Sequence, residues 1–207
     1  MIQIQSVDVA MSGTFATKDV VLPALKNRML IAVGNGDGSV NISGTTATFN
    51  GVTMTKVYVE YSSFGAYANA WIWYLAIPDT WTGTKTFAYS AGSFNSTLMV
   101  LTGAKALDLI ADDDWTIEAN FNTLNRVITS ISDGFVLVSV GLTAATSFTV
   151  SSTNLSTIKS VTNGYTGYMR GVSPTVTPNI VSSGTGRGVY LAVSFKPKPN
   201  YGSVVII

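Results

Sequence analysis

The sequence predicts an all-β protein, a two-sheet antiparallel β-sandwich. The first observation is the stretch 70–78, A-W-I-W-Y-L-A-I-P. If this stretch is extended, both of its faces are apolar. A strand that is apolar on both sides is typical of a central strand covered on both faces. The second observation is a series of short apolar or alternating runs separated by Gly, Asn and Pro, with no helical pattern longer than about two turns.

Three runs predict strands in the N-terminal part of the chain. Residues 2–11 alternate Ile and Val with Gln, Ser and Asp, which is the pattern of a half-buried strand. Residues 18–22 form a short apolar run that Pro23 ends. Residues 29–34, M-L-I-A-V-G, form a continuous run that we expect to be buried on both faces. The next segment, 35–38, is N-G-D-G and predicts a turn.

The clearest local signal is the segment 46–57, T-A-T-F-N-G-V-T-M-T-K-V. Asn50 and Gly51 are the residue types that supply the two positive φ angles of a type I′ turn, so a β-hairpin is predicted here. The doubly apolar strand follows at 70–77, and further strands are predicted at 84–90 and 98–102.

The segment 107–115, L-D-L-I-A-D-D-D-W, has no clean period of two. It predicts one helical turn or a loop between two halves of the chain. Beyond Arg126 the strand patterns return, at 127–131, 135–140, 148–150, 155–161, 165–172, 175–181 and 189–195.

Composition narrows the class of partner. Hydrophobic residues make up 46% of the chain and charged residues only 11%, well below the usual quarter or so. The net charge of +1 provides no electrostatic basis for holding a phosphate backbone, so nucleic acid is not expected as a partner. The absence of cysteine removes disulfides, thiolate metal sites and cysteine nucleophiles.

Neither a secretory signal nor a membrane helix is predicted. The N-terminus, M-I-Q-I-Q-S-V-D, lacks a basic segment followed by a long apolar one. No apolar run approaches the roughly 20 residues that a membrane helix requires. We therefore expect a soluble protein that is made in a cytoplasm and has no membrane partner.

The two halves resemble each other at a shift of roughly a hundred residues. Segment 27–34 is echoed by 133–141, segment 50–57 by 153–161, and segment 96–101 by 188–193. Two separate four-stranded domains would each bury little apolar surface. We therefore predict that the halves interleave in one pseudo-duplicated, two-sheet jelly roll, with a single domain at 1–197 and an apolar arm at 198–207.

The order of five segments resembles a jelly-roll module of phage virion proteins, in capsid decoration or tails, and of bacterial surface proteins. The segments are N-R-M-L-I-A-V-G, T-A-T-F-N-G-V-T-M-T-K-V, A-W-I-W-Y-L-A-I-P, T-G-T-K-T-F-A-Y and L-M-V-L-T-G-A. That family has a Gly-Gly or Asn-Gly hairpin before a strand of the form x-I-W-Y-L, then P-x-x-G-T. The resemblance covers the chain from Asn27 to near Pro197 and is closer in the first half.

The resemblance implies a non-enzymatic structural protein of a virion. Its shared positions are turn glycines and core residues, so they carry a fold more than a site. This chain has Gly103-Ala104-Lys105 where the family has G-V-D. A loop contact made by that acidic residue is therefore not carried over.

Few residues suggest catalysis or metal binding, and no catalytic residue, cofactor or metal is predicted. The chain has no His and no Cys, which excludes Ser-His-Asp and Cys-His hydrolysis. No pair of carboxylates is marked out for glycoside hydrolysis. A group of five acidic residues could offer oxygen ligands to Ca²⁺: Asp108, Asp112, Asp113, Asp114 and Glu118. They lack the spacing of an EF-hand loop, and a solvated acidic loop or caps for a short helix explain them better.

Aromatic residues leave a glycan-binding role open. Trp71 and Trp73 belong to the doubly apolar strand and are expected in the core. Four other aromatic residues fall in predicted loops or strand ends, where they could anchor a loop or stack on a sugar ring: Trp81, Trp115, Tyr61 and Tyr67.

The arm supplies the candidate assembly residues. Lys196 and Pro197 break the last strand, and four β-branched apolar residues follow further on: Val204, Val205, Ile206 and Ile207. A solvent-exposed segment of this kind offers a sticky strand edge. We expect it to add as a strand to a neighbouring subunit or to its own sheet.

Together these features predict a virion protein that is synthesised in the host cytoplasm. It would be a capsid, capsid-decoration or tail component that forms homo-oligomers and contacts other virion proteins. The alternative is a carbohydrate-binding module or adhesin. Particle mass in solution and a glycan screen distinguish the two.

Overall fold

The computed structural model describes residues 2–9, 16–37, 43–63, 66–90, 96–103, 110–142, 149–161 and 164–197, and the regular structure in these ranges consists of strands. The strands of the first half are β1 (Gln3–Val9), β2 (Thr17–Leu22), β3 (Arg28–Asp37), β4 (Ala47–Phe49), β5 (Val52–Thr53), β6 (Thr55–Ser63), β7 (Ala66–Ile77), β8 (Gly83–Tyr89) and β9 (Ser96–Thr102). Those of the second half are β10 (Ile110–Asn125), β11 (Ile128–Thr129), β12 (Phe135–Leu142), β13 (Val150–Thr153), β14 (Ser156–Val161), β15 (Gly164–Arg170), β16 (Thr175–Val176) and β17 (Asn179–Phe195).

Two sheets form a sandwich in the first half. The first inner sheet has the strand order β1-β9-β3-β7-β6, and the first outer sheet has the order β2-β8-β4-β5. The predicted hairpin joins β4 to β5, and both of its central residues have positive φ, 51° at Asn50 and 78° at Gly51. Trp71 and Trp73 of the inner sheet pack in one buried cluster with Phe87 of the outer sheet.

The second half repeats the arrangement. The second inner sheet has the order β10-β17-β12-β15-β14, which matches β1-β9-β3-β7-β6 strand for strand. The N-terminal part of β17 pairs with β13 and with the end of β10, so that Ile180 is opposite both Thr153 and Leu124. These segments and the β11-β16 pair form a second outer layer, and Ile128, Val176 and Ile180 cluster with the second inner sheet.

The all-β, antiparallel sandwich predicted from the sequence is confirmed, and the echoed segments occupy equivalent strands. Segments 27–34 and 133–141 contain most of β3 and the greater part of β12, and segments 96–101 and 188–193 fall in β9 and β17. The expected interleaving of the halves is wrong, because every strand pairing among the described residues joins strands of one half. A period of two indicates which face of a strand is buried, but not which strand is its neighbour.

The two inner sheets pack face to face through a third buried cluster. Ile31 and Ile72 contribute from the first inner sheet, and Leu137, Leu191 and Phe195 from the second. Strand β7 is therefore covered on both faces, as its sequence predicts. Its even-numbered residues such as Ile72 face the second half, whereas Trp71 and Trp73 face the first outer sheet.

The two inner sheets lie face to face with their strand orders reversed. Strand β3 lies against β12 and β15, strand β7 lies against β12 and β17, and β6 lies against β17. Strands β3 and β12 begin at the same end of the molecule, where the Ile2 N–H donates to the Asp133 carbonyl at 3.4 Å. This end is called the lower end below.

Two local predictions are corrected. Residues 35–37 continue strand β3 instead of turning, because Asn35 still pairs with Ala70 and Asp37 with Ala68. Residues 110–115 belong to strand β10, where pairing with β17 outweighs the low β-propensity of three consecutive aspartates. Within the described ranges there is no helix with the length and apolar character needed to cross a lipid bilayer.

Candidate assembly surface

Small hydroxyl-bearing side chains cover the outward face of the first outer sheet. Thr17, Ala88, Thr48 and Thr53 form a row across the sheet, since each is the register partner of the next. The neighbouring rows add Thr84, Thr86, Asp19 and Val21. The carboxylate of Asp19 accepts a hydrogen bond from Thr86 Oγ1 at 2.7 Å. Another surface can cover this face while desolvating few charged groups, provided that the threonine hydroxyls find hydrogen-bond partners there.

Strand β2 forms one edge of this sheet. Among the described strands it pairs with β8, and its other side has no strand partner. Its alternation places Val20 and Leu22 against the core, while Val21 is 71% exposed. Leu25, which follows the strand, is 45% exposed. An open edge with exposed aliphatic side chains is a template for a further strand.

A buried guanidinium fixes the loops beside this edge. Arg28 is 3% exposed and donates to the carbonyl oxygens of Pro23 at 2.9 Å, Pro78 at 3.0 Å and Trp81 at 2.6 Å. The Asp79 carboxylate also accepts a hydrogen bond from the backbone of the residue before Arg28 at 2.9 Å. The loop after β2 and the loop between β7 and β8 are therefore held together at the lower end.

A polar group joins the two halves inside their apolar interface. Asn35 Nδ2 donates to the Tyr165 carbonyl and to Thr166 Oγ1, both at 3.0 Å. Ser139 Oγ donates across the interface to the Gly34 carbonyl at 2.9 Å. These contacts satisfy polar groups that would be costly to bury alone, and they fix how the inner sheets lie on each other.

Glycine allows the two halves to approach closely where β12 packs on β7. A Cβ atom on Gly141 would lie 2.7 Å from the carbonyl carbon of Asn69 and closer still to its oxygen. Because the obstacle is backbone, it cannot rotate away as a side chain would. Glycine is therefore required at this position by the packing of β12 on β7.

No family model, curated protein or solved structure matches the chain.

The tryptophans predicted for the core are buried. Trp71 is 3% exposed and Trp73 is not exposed at all, so they form no platform for a sugar. Trp81 is half-buried, and its ring centroid lies 5.9 Å from that of Phe49, as expected for a loop anchor. Tyr58 is 40% exposed, with Lys56 Nζ 4.6 Å from its ring centroid.

Other sequence-predicted residues are placed only in part. Tyr61, Tyr67, Trp115 and the acidic residues 112–114 and 118 belong to strands β6, β7 and β10, but the structure describes only their backbone. Within the described residues there is no group of three or more His, Cys, Asp or Glu that could hold a metal ion. Asp108 and the candidate assembly residues Val204, Val205, Ile206 and Ile207 lie outside the described residues.

Three residues of structural consequence were not found from the sequence. Arg28 stands directly before an apolar run, and Asn35 interrupts the end of that run, which are signals of a buried polar group. Val21 fits the apolar run 18–22, and only the strand pairing shows that it faces outward.

Proposed function

We propose that the chain is a non-enzymatic structural protein of a virion, which assembles through contacts between β-sandwiches. It would serve as a capsid, capsid-decoration or tail component, made in the host cytoplasm. The observation that supports the proposal is the strand order of the first half, β1-β9-β3-β7-β6 in one sheet and β2-β8-β4-β5 in the other. We interpret this alternation of consecutive strands between two packed sheets as a jelly roll with one added edge strand, β6, and the jelly roll is an architecture of viral capsid domains.

The repetition of this order supports the proposal further. The second inner sheet has the same order as the first, and a continuous buried cluster joins them. Two sandwiches fixed in one orientation make a rigid building block. Because one fold serves many functions, the fold supports this assignment only by analogy. The physical feature that suits the protein to packing against its own copies is the nearly uncharged outward face of the first outer sheet.

A carbohydrate-binding module or adhesin is the second candidate, since jelly rolls also occur as lectin domains. The observation that favours it is the 40% exposure of the Tyr58 side chain, because sugar rings stack on exposed aromatic faces. The ammonium of Lys56 lies over one face of this ring, so a sugar would have to stack on the other face.

The mass of the full chain in solution distinguishes the two candidates. Sedimentation velocity over a wide concentration range, with negative-stain images of the same samples, should show symmetric oligomers, rings or tubes. A glycan array probed with the same protein should give no saturable signal. A monomer at all concentrations that binds a glycan saturably, and loses that binding on Tyr58→Ala, would replace the first candidate by the second.

A further inference from the structure

The outward surfaces of the two outer layers correspond to each other position by position. Two equivalent hydrogen bonds fix the correspondence: the Asn50 N–H donates to the Thr86 carbonyl at 2.8 Å, and the Asn154 N–H donates to the Asn179 carbonyl at 3.3 Å. The strand registers extend it to the neighbouring residues. The first face is defined here as residues 17, 19, 21, 48, 84, 86 and 88, and the second face as residues 123, 125, 127, 152, 177, 179 and 181.

The exposed side chains agree in type between the two faces. Val21 lies opposite Thr84, and Val127 lies opposite Thr177 in the register that continues from β10 into β11. These valines are 71% and 64% exposed, the highest values among the large hydrophobic residues of the described ranges. The row Thr17, Ala88 and Thr48 of the first face corresponds to the row Thr123, Val181 and Ser152 of the second.

The inward sides of the same strands differ more than their outward sides. The buried Phe49 corresponds to Thr153, and the buried Phe87 corresponds to Ile180. Each sandwich therefore packs with its own set of residues at these positions. Since packing within a sandwich does not require the outward residues to agree, their agreement indicates that the two faces meet surfaces of the same kind outside their own sandwich.

We propose that the first face of one copy of this chain packs against the second face of another copy, with Val21 beside Val127. A hydroxyl both donates and accepts hydrogen bonds, so two faces of threonine and serine can satisfy each other's polar groups. Contact between the two valines removes from water the most exposed aliphatic surface of the described residues.

One difference between the faces favours the pairing of unlike faces. Asp19 of the first face corresponds to Asn125 of the second. Contact between two first faces would bring two Asp19 carboxylates into one interface, and like charges there oppose association. On the second face the carboxylate can meet an amide that donates to it. Contact between two second faces would leave Val21 uncovered.

The two faces are the outermost surfaces of four packed layers. Buried clusters join the first outer sheet to the first inner sheet, the inner sheets to each other, and the second inner sheet to the second outer layer. The faces therefore point away from each other, so one chain cannot close the contact on itself.

A contact between unlike faces is heterologous and generates a ring if the rotation closes and a filament if it does not. At about 10 Å between packed layers, successive copies would be spaced by about 40 Å. The inference rests on the proposed function to the extent that the chain assembles with itself, and it specifies the contact by which it does so.

Disulfide cross-linking tests the contact, because the natural chain has no cysteine. Full-length Val21→Cys and Val127→Cys proteins are oxidised gently, alone and mixed. The mixture should give a covalent dimer, whereas neither variant alone should. A Val21→Cys, Val127→Cys double variant should give a series of larger covalent oligomers. Val172→Cys, whose parent residue is 58% exposed, is the matched control and should cross-link with neither variant.

Opposite charges provide the second measurement. Val21→Lys and Val127→Glu proteins should each need about tenfold higher concentration to assemble, because each places one unpaired charge in the contact. An equimolar mixture should assemble near the natural concentration, since the introduced ammonium then meets the introduced carboxylate and the alternate contacts are natural ones. Val172→Lys should leave assembly unchanged when alone, and it should not restore assembly when mixed with Val127→Glu.

Each outcome decides between the contact and the proposed function. Assembly of the natural chain with neither the cross-link nor the rescue overturns the contact and leaves the proposed function standing. The agreement of the faces would then follow from the strand propensity of Val and Thr. A covalent dimer of Val21→Cys protein alone overturns the pairing of unlike faces. A natural chain that stays monomeric at all concentrations overturns both proposals.

Discussion

Replacing Gly141 by alanine should force the two sandwiches apart. The new Cβ would lie 2.7 Å from the carbonyl carbon of Asn69. Ordinary contact between such atoms begins at 3.4 Å, so the carbon alone, at 3.4 minus 2.7, requires β12 and β7 to separate by about 0.7 Å, and the nearer oxygen of the same carbonyl requires more. Both groups lie in paired strands, Gly141 near the end of β12 and Asn69 within β7, so the separation must be shared by the surrounding interface.

The energetic cost follows from the size of the interface. A gap of 0.5–1 Å forfeits about a quarter to a half of the dispersion energy of each contact across it. The interface includes Ile31, Ile72, Leu137 and Leu191, so many contacts weaken together. We expect Gly141→Ala to lower the free energy of unfolding by about 3 kcal/mol, at the upper end of the usual cost of overpacking.

Urea unfolding followed by tryptophan fluorescence and by far-UV circular dichroism measures this loss. Gly44→Ala is the matched control, because a Cβ there meets nothing within 4 Å, and it should change stability by less than about 0.5 kcal/mol. Gly141→Ala should also unfold in a broader transition, since the halves are less firmly coupled. Equal midpoints for the two variants would refute the face-to-face packing of the inner sheets.

Three further substitutions test the buried groups. Arg28→Lys should lower the free energy of unfolding in urea by about 2 kcal/mol, because an ammonium cannot donate to all the carbonyls that the guanidinium reaches. A variant as stable as the natural chain would contradict this role of Arg28. Asn35→Ala should lower the free energy of unfolding by about 1–3 kcal/mol, because it leaves the Tyr165 carbonyl without its donor. Asn35→Asp, which has no amide, should be at least as unstable. Thermal melts that match the natural chain would contradict a stabilising role for the hydrogen bonds of Asn35. Trp73→Ala should cost about 3–5 kcal/mol, and a smaller loss on melting would place this side chain outside the core.

The sequence predicts structure best where the determining residues all lie within one strand or turn. Strand β7 is apolar on both faces from Ala70 to Ile77, and Asn50-Gly51 specifies its turn through backbone conformation alone, so both features are confirmed. Pairing between distant strands is less accessible. The echo between β3 and β12 indicated a duplication, but a period of two does not tell whether equivalent strands share a sheet or form separate ones.

The candidate surface was less predictable for the same reason. Val21 is indistinguishable by pattern from a buried valine, and its exposure follows from the pairing of β2 with β8. The sequence predicts a turn at Asn35. Its buried role was not predicted, because the acceptors of its amide, on Tyr165 and Thr166, come from the other half of the chain. The arm 204–207 was found from sequence, and its role stays a prediction.

The segregation of the sheets by halves has a consequence for synthesis. Every strand of the first sandwich precedes residue 103, so this half can complete its pairing while the second is still being translated. During that interval the face that carries Ile31 and Ile72 has no cover. The nascent first half therefore exposes a broad apolar sheet face until β12 and β17 are synthesised. We expect aggregation, and the need for a chaperone, to be greatest in this interval.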